Sequence, residues 1–185
     1  MEVYHGTFLE AAKSIEEDGV LLRKCKLHTD FGKGFYVTEH YEYALNTARK
    51  KVRKSLAKGY KLIPAIVKFE YDTVSGAYLE LAFSSESLEW LQFLVNNRNG
   101  QEYVSDVGST FHNLGHKYEI VSGRIADQDI TLVASELKEK LKLADSADLK
   151  RVIYKNNPYA TQISFHTPNA LGNLHYLGYE IPEEV

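Results

Sequence analysis

A glycine-flanked loop leads into a short apolar strand in the segment Asp30-Phe31-Gly32-Lys33-Gly34-Phe35-Tyr36-Val37-Thr38. Glycines on both sides of Lys33 let a ligand approach the backbone closely, and amides exposed in such a loop can hold anionic or carbonyl oxygens. The loop is not a P-loop, because no Gly-Lys-Ser/Thr sequence opens a helix, and it is not a Rossmann fingerprint. Gly32, Lys33 and Gly34 are therefore candidate ligand-binding residues, with an ordinary tight turn as the alternative.

A second candidate site lies near the start of the chain, in Tyr4-His5-Gly6-Thr7. Residues 2 to 7 predict a short strand, and a helix from Phe8 to Asp18 follows, with Gly19 as its stop signal. A histidine at the end of a strand can present its ring to a ligand while the backbone of the following glycine pairs with an amide. The alternative is a histidine that only satisfies a local hydrogen bond.

The rest of the chain mixes helices and strands without a regular βαβ alternation. Helices are predicted at Tyr41 to Lys58, from Ser84-Ser85-Glu86 to a turn at Asn96 to Gly100, and at Ile130 to Lys155 with a break near Asp145 and a cap at Ser146. Strands are predicted at Phe35 to Thr38, Leu62 to Tyr71, Ala77 to Phe83, Tyr118 to Val121, Thr161 to His166 and Leu174 to Ile181. Pro64 places the start of its strand near a sheet edge, and Trp90 is predicted to belong to the core. The irregular order favours an α+β fold, and because no linker divides residues 1–185, we predict one domain.

The composition is that of an ordinary globular protein of 185 residues, with 44% hydrophobic and 25% charged residues. No segment reaches the roughly 20 apolar residues that a membrane span requires, so no membrane partner is predicted. The first residues lack a signal-peptide pattern, and Cys25 is the single cysteine, which excludes an internal disulfide. These features predict a cytoplasmic protein, with export without a cleaved signal as the alternative.

No metal site is predicted from the histidines. His112 and His116 come closest to a ligand pair, at positions i and i+4, but Gly115 lies between them and the segment does not read as a helix. Cys25 has no partner at a zinc spacing. We therefore expect no metal cofactor.

A basic run lies between Arg49 and Lys61, with seven bases and no acid, in a chain of net charge −3. A basic patch on an acidic body is suited to phosphate groups, and the alternative is a solvated helix face. Arg98 is a further candidate, because its guanidinium could reach a pyrophosphate or could cap the carbonyls of a helix end.

Three segments, in this order along the chain, resemble the signature strands of ADP-ribosyltransferases. They are Tyr4-His5-Gly6-Thr7, Phe31-Gly32-Lys33-Gly34-Phe35-Tyr36-Val37-Thr38 and Thr161-Gln162-Ile163-Ser164-Phe165-His166. The matching branch is shared by poly(ADP-ribose) polymerases and diphtheria toxin, and its signature is His, Tyr, Glu. More closely, the chain resembles a bacterial family of short members found beside small partner genes in toxin–antitoxin arrangements. The resemblance implies a split β-sheet core with flanking helices.

The resemblance also implies roles for particular residues, with NAD⁺ as the substrate. His5 would hydrogen-bond a ribose hydroxyl on the adenosine half, Gly6 would hold the nicotinamide carboxamide through its backbone, and Thr7 would support the ribose. Tyr36 would stack on the nicotinamide ring, which an aromatic face holds well because the ring is flat and cationic. Tyr4, Gly34 and Phe35 belong to the same segments and are expected beside the ligand.

Two positions depart from the family pattern. The third signature residue, a Glu that bonds the ribose 2′-hydroxyl, is Gln162 here, which can donate and accept hydrogen bonds but brings no negative charge. Asp30, Glu39, Glu42 and Glu119 are open alternatives for a carboxylate. The second nicotinamide-stacking aromatic falls on Thr47, and Tyr43, one helical turn earlier, could take its place or could simply be a core or surface tyrosine.

The predicted function is NAD-dependent mono-ADP-ribosyltransfer to a macromolecule, with release of nicotinamide. Polymer elongation is not expected without the Glu. The acceptor could be nucleic acid or protein, and the resemblance implies a toxin or defence effector with a small antitoxin protein as a possible partner. The alternatives are an NAD⁺ glycohydrolase and an inactive module that binds NAD⁺ or ADP-ribose.

Overall fold

Strands and helices occur close to the predicted positions in the residues that the computed structural model describes, which are 1–73, 78–126, 129–140, 144–152 and 160–183. The strands are β1 Glu2–Phe8, β2 Phe35–Val37, β3 Pro64–Tyr71, β4 Glu80–Ala82, β5 Ile120–Arg124, β6 Thr161–Phe165 and β7 Leu174–Glu180. The α-helices are α1 Leu9–Asp18, α2 Tyr41–Leu56, α3 Leu88–Asp106, α4 Ile130–Lys140, α5 Ser146–Val152 and α6 Pro168–Leu171, and Leu22–Lys24 forms a 3₁₀ turn. The predicted α+β class is confirmed.

The strands form two separate sheets. One has the order β1-β3-β7 and is antiparallel throughout, and the other has the order β2-β6-β5-β4, in which only the β4–β5 pair is parallel. The sheets meet where Tyr4 of β1 exchanges two backbone hydrogen bonds with Thr38, at 2.8 and 3.0 Å. Within the described residues this bridge joins the sheets at one point, and a cleft opens beside it.

Two large apolar clusters support the two sheets, and a third, smaller one joins Ala44 and Leu45 of α2 to Ile66 of β3. The largest one surrounds the fully buried Trp90 of α3, as predicted, and includes Phe31, Phe93 and Val121. A second cluster covers the sheet of β1 and β3 around Phe69 and its neighbours. Because β2 contributes Phe35 and Val37 to this second cluster while Phe31 belongs to the first, the intervening glycine loop is anchored at both ends.

Helix α3 differs most from the predicted elements. It is capped by Ser87, whose hydroxyl accepts from the Trp90 amide, rather than by residues 84 to 86. It does not end at Asn96 to Gly100 but continues to Asp106 through a kink at Gly100, where φ is 84°. Asn96 and Asn97 are buried because their side chains bond to Phe111 and Asn113, which are distant in sequence.

Smaller differences occur elsewhere. The carboxylate of Asp145, rather than Ser146, caps α5, since it accepts from the amides of Ala147 and Asp148. Pro64 begins β3, the central strand of its sheet. Pro64 itself pairs only with β1, because the pairing with β7 extends no further than Ile66. The predicted helical residues 141–143 and 153–155 and the strand residue Ala77 lie outside the described residues. No helix within the described ranges is both long and apolar enough to cross a membrane.

Candidate functional site: a cleft between the two sheets

The cleft beside the Tyr4–Thr38 bridge forms a cavity of about 820 Å³. Its walls come from β1, from the segment 29–38, from α2 and from the residues after α1. A volume of this size is within the range of small-molecule and cofactor pockets. Most residues predicted for the site line this one cavity: Tyr4, His5, Gly6, Thr7, Gly34, Phe35, Tyr36, Tyr43, Arg98 and Gln162.

His5 has a defined tautomer. Its Nδ1 lies 2.7 Å from the Tyr36 carbonyl oxygen, which can only accept, so Nδ1 carries the proton and donates it. The ring stacks on Phe35 with centroids 4.5 Å apart. Burial and the nearby charge of Lys51 lower the pKa of His5 to about 3, against the smaller opposing effect of the Tyr36 bond. The imidazole is therefore neutral at pH 7, and its Nε2 is a hydrogen-bond acceptor on the cavity wall.

Gly6 is required by the packing of β1 against α2. A Cβ at this position would lie 1.9 Å from the carbonyl oxygen of Ala44, closer than any side chain can approach. Backbone groups alternate in direction along a strand, and those of Tyr4 point to the β2 side, where they bond Thr38. The amide and carbonyl of Gly6, two residues on, point to the same side and so into the cleft.

Lys51 already contacts this backbone edge. Its Nζ donates to the Gly6 carbonyl oxygen at 2.6 Å. Burial and the neighbouring charge of Lys26 lower the pKa of Lys51 to about 8, with a small opposing effect from Cys25. The ammonium thus loses its proton more readily than an ordinary lysine, and its bond to Gly6 occupies an acceptor that a ligand amide would need. The sequence places Lys51 only in a basic run and gives no sign of this contact.

Gln162 does not stand alone in the position of the missing glutamate. Its Nε2 donates to Oδ2 of Asp30 at 2.9 Å, and the other carboxylate oxygen accepts from Nε of Arg98 at 2.7 Å. Arg98 is held in turn by Thr131, at 3.0 Å from Nη1. Asp30 is buried and lines the cavity. The structure therefore places a carboxylate beside Gln162, and Arg98 is the ion-pair partner of that carboxylate.

Of the four carboxylates left open by the sequence, Asp30 is the one on the cavity wall. Glu39, Glu42 and Glu119 do not line it. Glu39 and Glu42 are exposed, and Glu119 instead accepts from the Thr167 hydroxyl at 2.9 Å.

Tyr36 lines the cavity, and its hydroxyl holds the glycine loop. The hydroxyl donates to the Gly32 carbonyl at 2.7 Å, accepts from the Phe31 amide at 2.9 Å and lies 3.0 Å from the Thr29 hydroxyl. Burial and the charge of Asp30 raise the pKa of Tyr36 far above its ordinary value, so the phenol stays neutral. Tyr36 is suited to stacking and not to proton abstraction.

In the loop of Gly32, Lys33 and Gly34, the cavity is lined by Gly34. Gly32 and Lys33 do not line the main cavity, and Lys33 lines a separate one of about 230 Å³. Gly32 has φ +88°, where a side chain would be strained, and a Cβ on Gly34 would lie 2.7 Å from the ring of His166. Both glycines are thus explained by the local turn and by packing.

His166 is the residue behind that packing, and sequence reasoning did not assign it a role beyond its strand. It is buried, and its Nδ1 lies 2.9 Å from the Lys33 carbonyl while its Nε2 lies 2.8 Å from the Ser164 hydroxyl. Burial lowers the pKa of His166 to about 4. A neutral buried imidazole therefore supports the loop from behind.

The remaining predicted residues line the cavity, and some of them also make contacts within the protein. Thr7 and Phe35 are buried, and Tyr4 directs its hydroxyl outward to Glu2 at 2.7 Å. Tyr43 and Thr47, the two alternatives for the second aromatic position, both line the cavity. The α2 side of the cavity therefore includes an aromatic residue, Tyr43.

Lysines surround the rest of the cavity. Five of them line it: Lys24, Lys26, Lys51, Lys54 and Lys58. The last three share one face of the α2 region, since they are spaced by three and four residues. Three of the seven basic residues between Arg49 and Lys61 therefore line the cavity. Among the described residues no group of three or more His, Cys, Asp or Glu side chains could hold a metal ion.

A family model described as "Protein of unknown function (DUF3990)" matches residues 1–176, which is most of the chain. Neither a comparison with curated proteins nor one with solved structures gives a match.

Proposed function

The chain belongs to the DUF3990 family, and we propose that it binds NAD⁺ in the cleft and transfers ADP-ribose to a macromolecule with release of nicotinamide. The observation that carries this proposal is the arrangement on one cavity wall of a neutral His5 with a free acceptor nitrogen and of Gly6 with an outward-facing amide edge. Tyr36 and Asp30 line the same cavity. NAD⁺ offers a hydroxyl, a carboxamide, a cationic ring and a developing positive charge to match these groups.

On the binding side, Nε2 of His5 accepts a hydrogen bond from a ribose hydroxyl. This bond requires a neutral imidazole, which the low pKa of about 3 ensures at physiological pH. The nicotinamide carboxamide pairs with the amide and carbonyl of Gly6, and its ring packs on Tyr36.

Pairing at Gly6 competes with the bond that Lys51 donates to the same carbonyl. The exchange is favourable when the amine finds another acceptor, and the phosphates of NAD⁺ supply one. Lys51 therefore moves from the backbone to the pyrophosphate as NAD⁺ enters.

On the chemical side, Asp30 supplies the negative charge that Gln162 lacks. When the bond between the nicotinamide nitrogen and ribose C1′ breaks, nicotinamide leaves with the electron pair, and positive charge develops on the ribose. A fixed carboxylate beside the ribose stabilises that charge, while Gln162 and Arg98 hold the carboxylate in place. C1′ then bonds to an oxygen or nitrogen of the acceptor, whose proton passes to solvent.

The finer fold assignment, an ADP-ribosyltransferase-like split sheet, belongs to this proposal. It is supported by two sheets that meet at one bridge beside the cavity, with His5 on one sheet and Tyr36 and Gln162 on the other. The role as a toxin or defence effector and the small antitoxin partner rest on the sequence resemblance alone, and the cytoplasmic setting rests on the composition and the N-terminal sequence.

Incubation with NAD⁺ labelled in its adenylate phosphate tests the proposal. The purified protein and the labelled NAD⁺ are mixed with total cell extract. After the reaction, one half of the mixture is treated with protease and the other half with nuclease. Label on a macromolecule supports transfer, free ADP-ribose supports the glycohydrolase alternative, and binding without turnover supports an inactive module. Neither binding nor consumption of NAD⁺ overturns the proposal.

A further inference from the structure

The rim of the cavity carries four exposed lysines from two different segments. Lys54 and Lys58 lie one helical turn apart at the end of α2 and just beyond it, and Lys24 and Lys26 follow α1. The charge of Lys26 reaches the amine of Lys51 on α2, so the two segments are close in space. Lys26, Lys54 and Lys58 make no hydrogen bond or ion pair with the part of the chain that the structure describes. Their charges are therefore available to a partner.

The acidic residues that line the cavity balance only a small part of this positive charge. Of the described residues that line it, two are acidic, Glu10 and Asp30, and Asp30 is already paired with Arg98. The chain as a whole has a net charge of −3, so this local excess does not follow from the overall composition. The pyrophosphate of NAD⁺ offers two negative charges and its nicotinamide ring one positive charge, which leaves most of the rim without a counter-charge. An additional polyanion fits beside NAD⁺.

An exposed aromatic ring lies next to this rim. Tyr60 is 67% exposed, and its amide donates to the carbonyl of Ser55, a residue that lines the cavity. A tyrosine held at this point presents a flat face beside a row of cations. Proteins that bind single strands combine these two features, with lysines along the backbone phosphates and aromatic rings against the bases.

We propose that Lys24, Lys26, Lys54, Lys58 and Tyr60 form a surface that binds single-stranded nucleic acid as the acceptor of ADP-ribose. This inference rests on the proposed function, since it names the acceptor for the same cavity. A single strand is favoured over a duplex, because a base inside a duplex must be flipped out before it can reach a recessed centre. After nicotinamide leaves, an oxygen or nitrogen of the strand bonds to C1′ and releases its proton to solvent.

Fluorescence anisotropy with the full chain and a labelled single-stranded DNA of about 16 nucleotides, one of the longer site sizes known for single OB-fold domains, tests the surface. The variant Lys54→Gln/Lys58→Gln is compared with Arg53→Gln/Lys61→Gln, which removes the same charge from the same basic run but does not face the cavity. We expect the first pair to weaken binding about tenfold and to reduce the slope of log K against log salt by about 1.4, since each phosphate contact on a single strand contributes about 0.7. The control pair is expected to change the slope little.

Tyr60→Ala is expected to weaken single-strand binding about tenfold without changing the salt slope, because stacking is not electrostatic. Absence of binding by the wild type, equal losses in the two charge variants, or tighter binding of the matching duplex would overturn the surface. Label from NAD⁺ that resists nuclease and is removed by protease would overturn the nucleic-acid acceptor while leaving transfer intact. Failure to consume or bind NAD⁺ overturns the proposed function, whatever the oligonucleotide does.

Discussion

The two walls of the cavity use their polar groups in opposite ways. On the wall of β1 and α2, His5 keeps an accepting nitrogen for a ligand and Lys51 holds the Gly6 carbonyl with a weakly basic amine. On the wall of residues 29–36 and β6, Asp30 and Tyr36 have their polar atoms bonded to other protein groups. The first wall can exchange its hydrogen bonds for bonds to a ligand, and we call it the exchangeable wall. The polar groups of the second wall are held in place by the protein, and we call it the fixed wall.

This difference separates binding from chemistry. A fixed carboxylate can stabilise charge in a transition state without rearranging, which makes electrostatic catalysis effective. The wall of β1 and α2 can instead release the hydrogen bond between Lys51 and Gly6 and form hydrogen bonds to a substrate. Changes on the fixed wall should therefore affect turnover most, and changes on the exchangeable wall should affect affinity.

The largest effect is expected from Asp30→Asn on the fixed wall. This variant keeps the size of the side chain and removes its charge, so NAD⁺ turnover should fall about 100- to 1000-fold, the usual effect of deleting one electrostatic contact in a transition state. Steady-state nicotinamide release measures it, with thermal unfolding as a check on the fold. Glu39→Gln, an exposed carboxylate off the cavity, is the matched control. Equal turnover in the Asp30 variant and the wild type would show that the carboxylate on the fixed wall does not contribute to catalysis.

Gly6→Ala should have the next largest effect, and on stability. The added methyl group would meet the Ala44 carbonyl at 1.9 Å, so β1 and α2 must separate. Overpacking of this kind typically costs about 3 kcal/mol or less, and we expect a loss near that upper end in the free energy of unfolding by urea. Gly115→Ala, where a Cβ would meet nothing within 4 Å, should change it by less than about 0.5 kcal/mol. Comparable stability of the two variants would contradict the close packing of the first wall.

Acid should destabilise the fold through two buried histidines, His5 on one wall of the cavity and His166 behind the glycine loop of the other. Their pKa values are about 3 and about 4 in the folded chain, below the ordinary 6.5, so the unfolded chain binds more protons in this window. Stability is therefore retained above pH 6.5 and is lost as the pH falls towards 4, by up to about 1.4 kcal/mol per pH unit for each histidine. Urea unfolding between pH 7 and 4.5 measures the slope. A flat profile between pH 6.5 and 5 would mean that neither imidazole is buried in its neutral form.

The smallest effect is expected from Lys51→Met on the exchangeable wall. Loss of the amine frees the Gly6 carbonyl, and because an exchanged hydrogen bond is worth about 1 kcal/mol, affinity for free nicotinamide should rise about fivefold. The wild type should gain part of this affinity between pH 7 and 9, as the amine loses its proton around its pKa of about 8. Nicotinamide binding by calorimetry measures both. Lys54→Met is the control, and an equal rise in that variant would contradict the specific role of Lys51.

The sequence predicts the parts of the site that depend on local pattern. The order of strand, glycine loop and strand around His5 and Tyr36 follows from short-range signals, and α2 is recognisable from its apolar spacing. The α+β class follows from the same elements.

The rest depends on contacts between distant residues. The pairing of Asp30 with Gln162 spans 132 positions, and no periodicity records it. The reason for Gly34 lies in His166, and the continuation of α3 past Asn97 depends on the backbone of Asn113. The sequence leaves a ligand-binding loop and an ordinary tight turn open for these glycines, and the contact that constrains Gly34 depends on a histidine far away in the chain.

Calorimetric titration of NAD⁺ into the purified chain at pH 7 tests the central claim most directly. Wild type should bind one equivalent, and His5→Ala and Tyr36→Ala should each lose about tenfold or more in affinity while remaining folded, since each removes one contact to the ligand. His175→Ala, an exposed histidine paired with Asp72 away from the cavity, should bind as the wild type does. No binding by the wild type, or equal affinity in the wild type and the two cavity variants, would contradict an NAD⁺ site in this cleft.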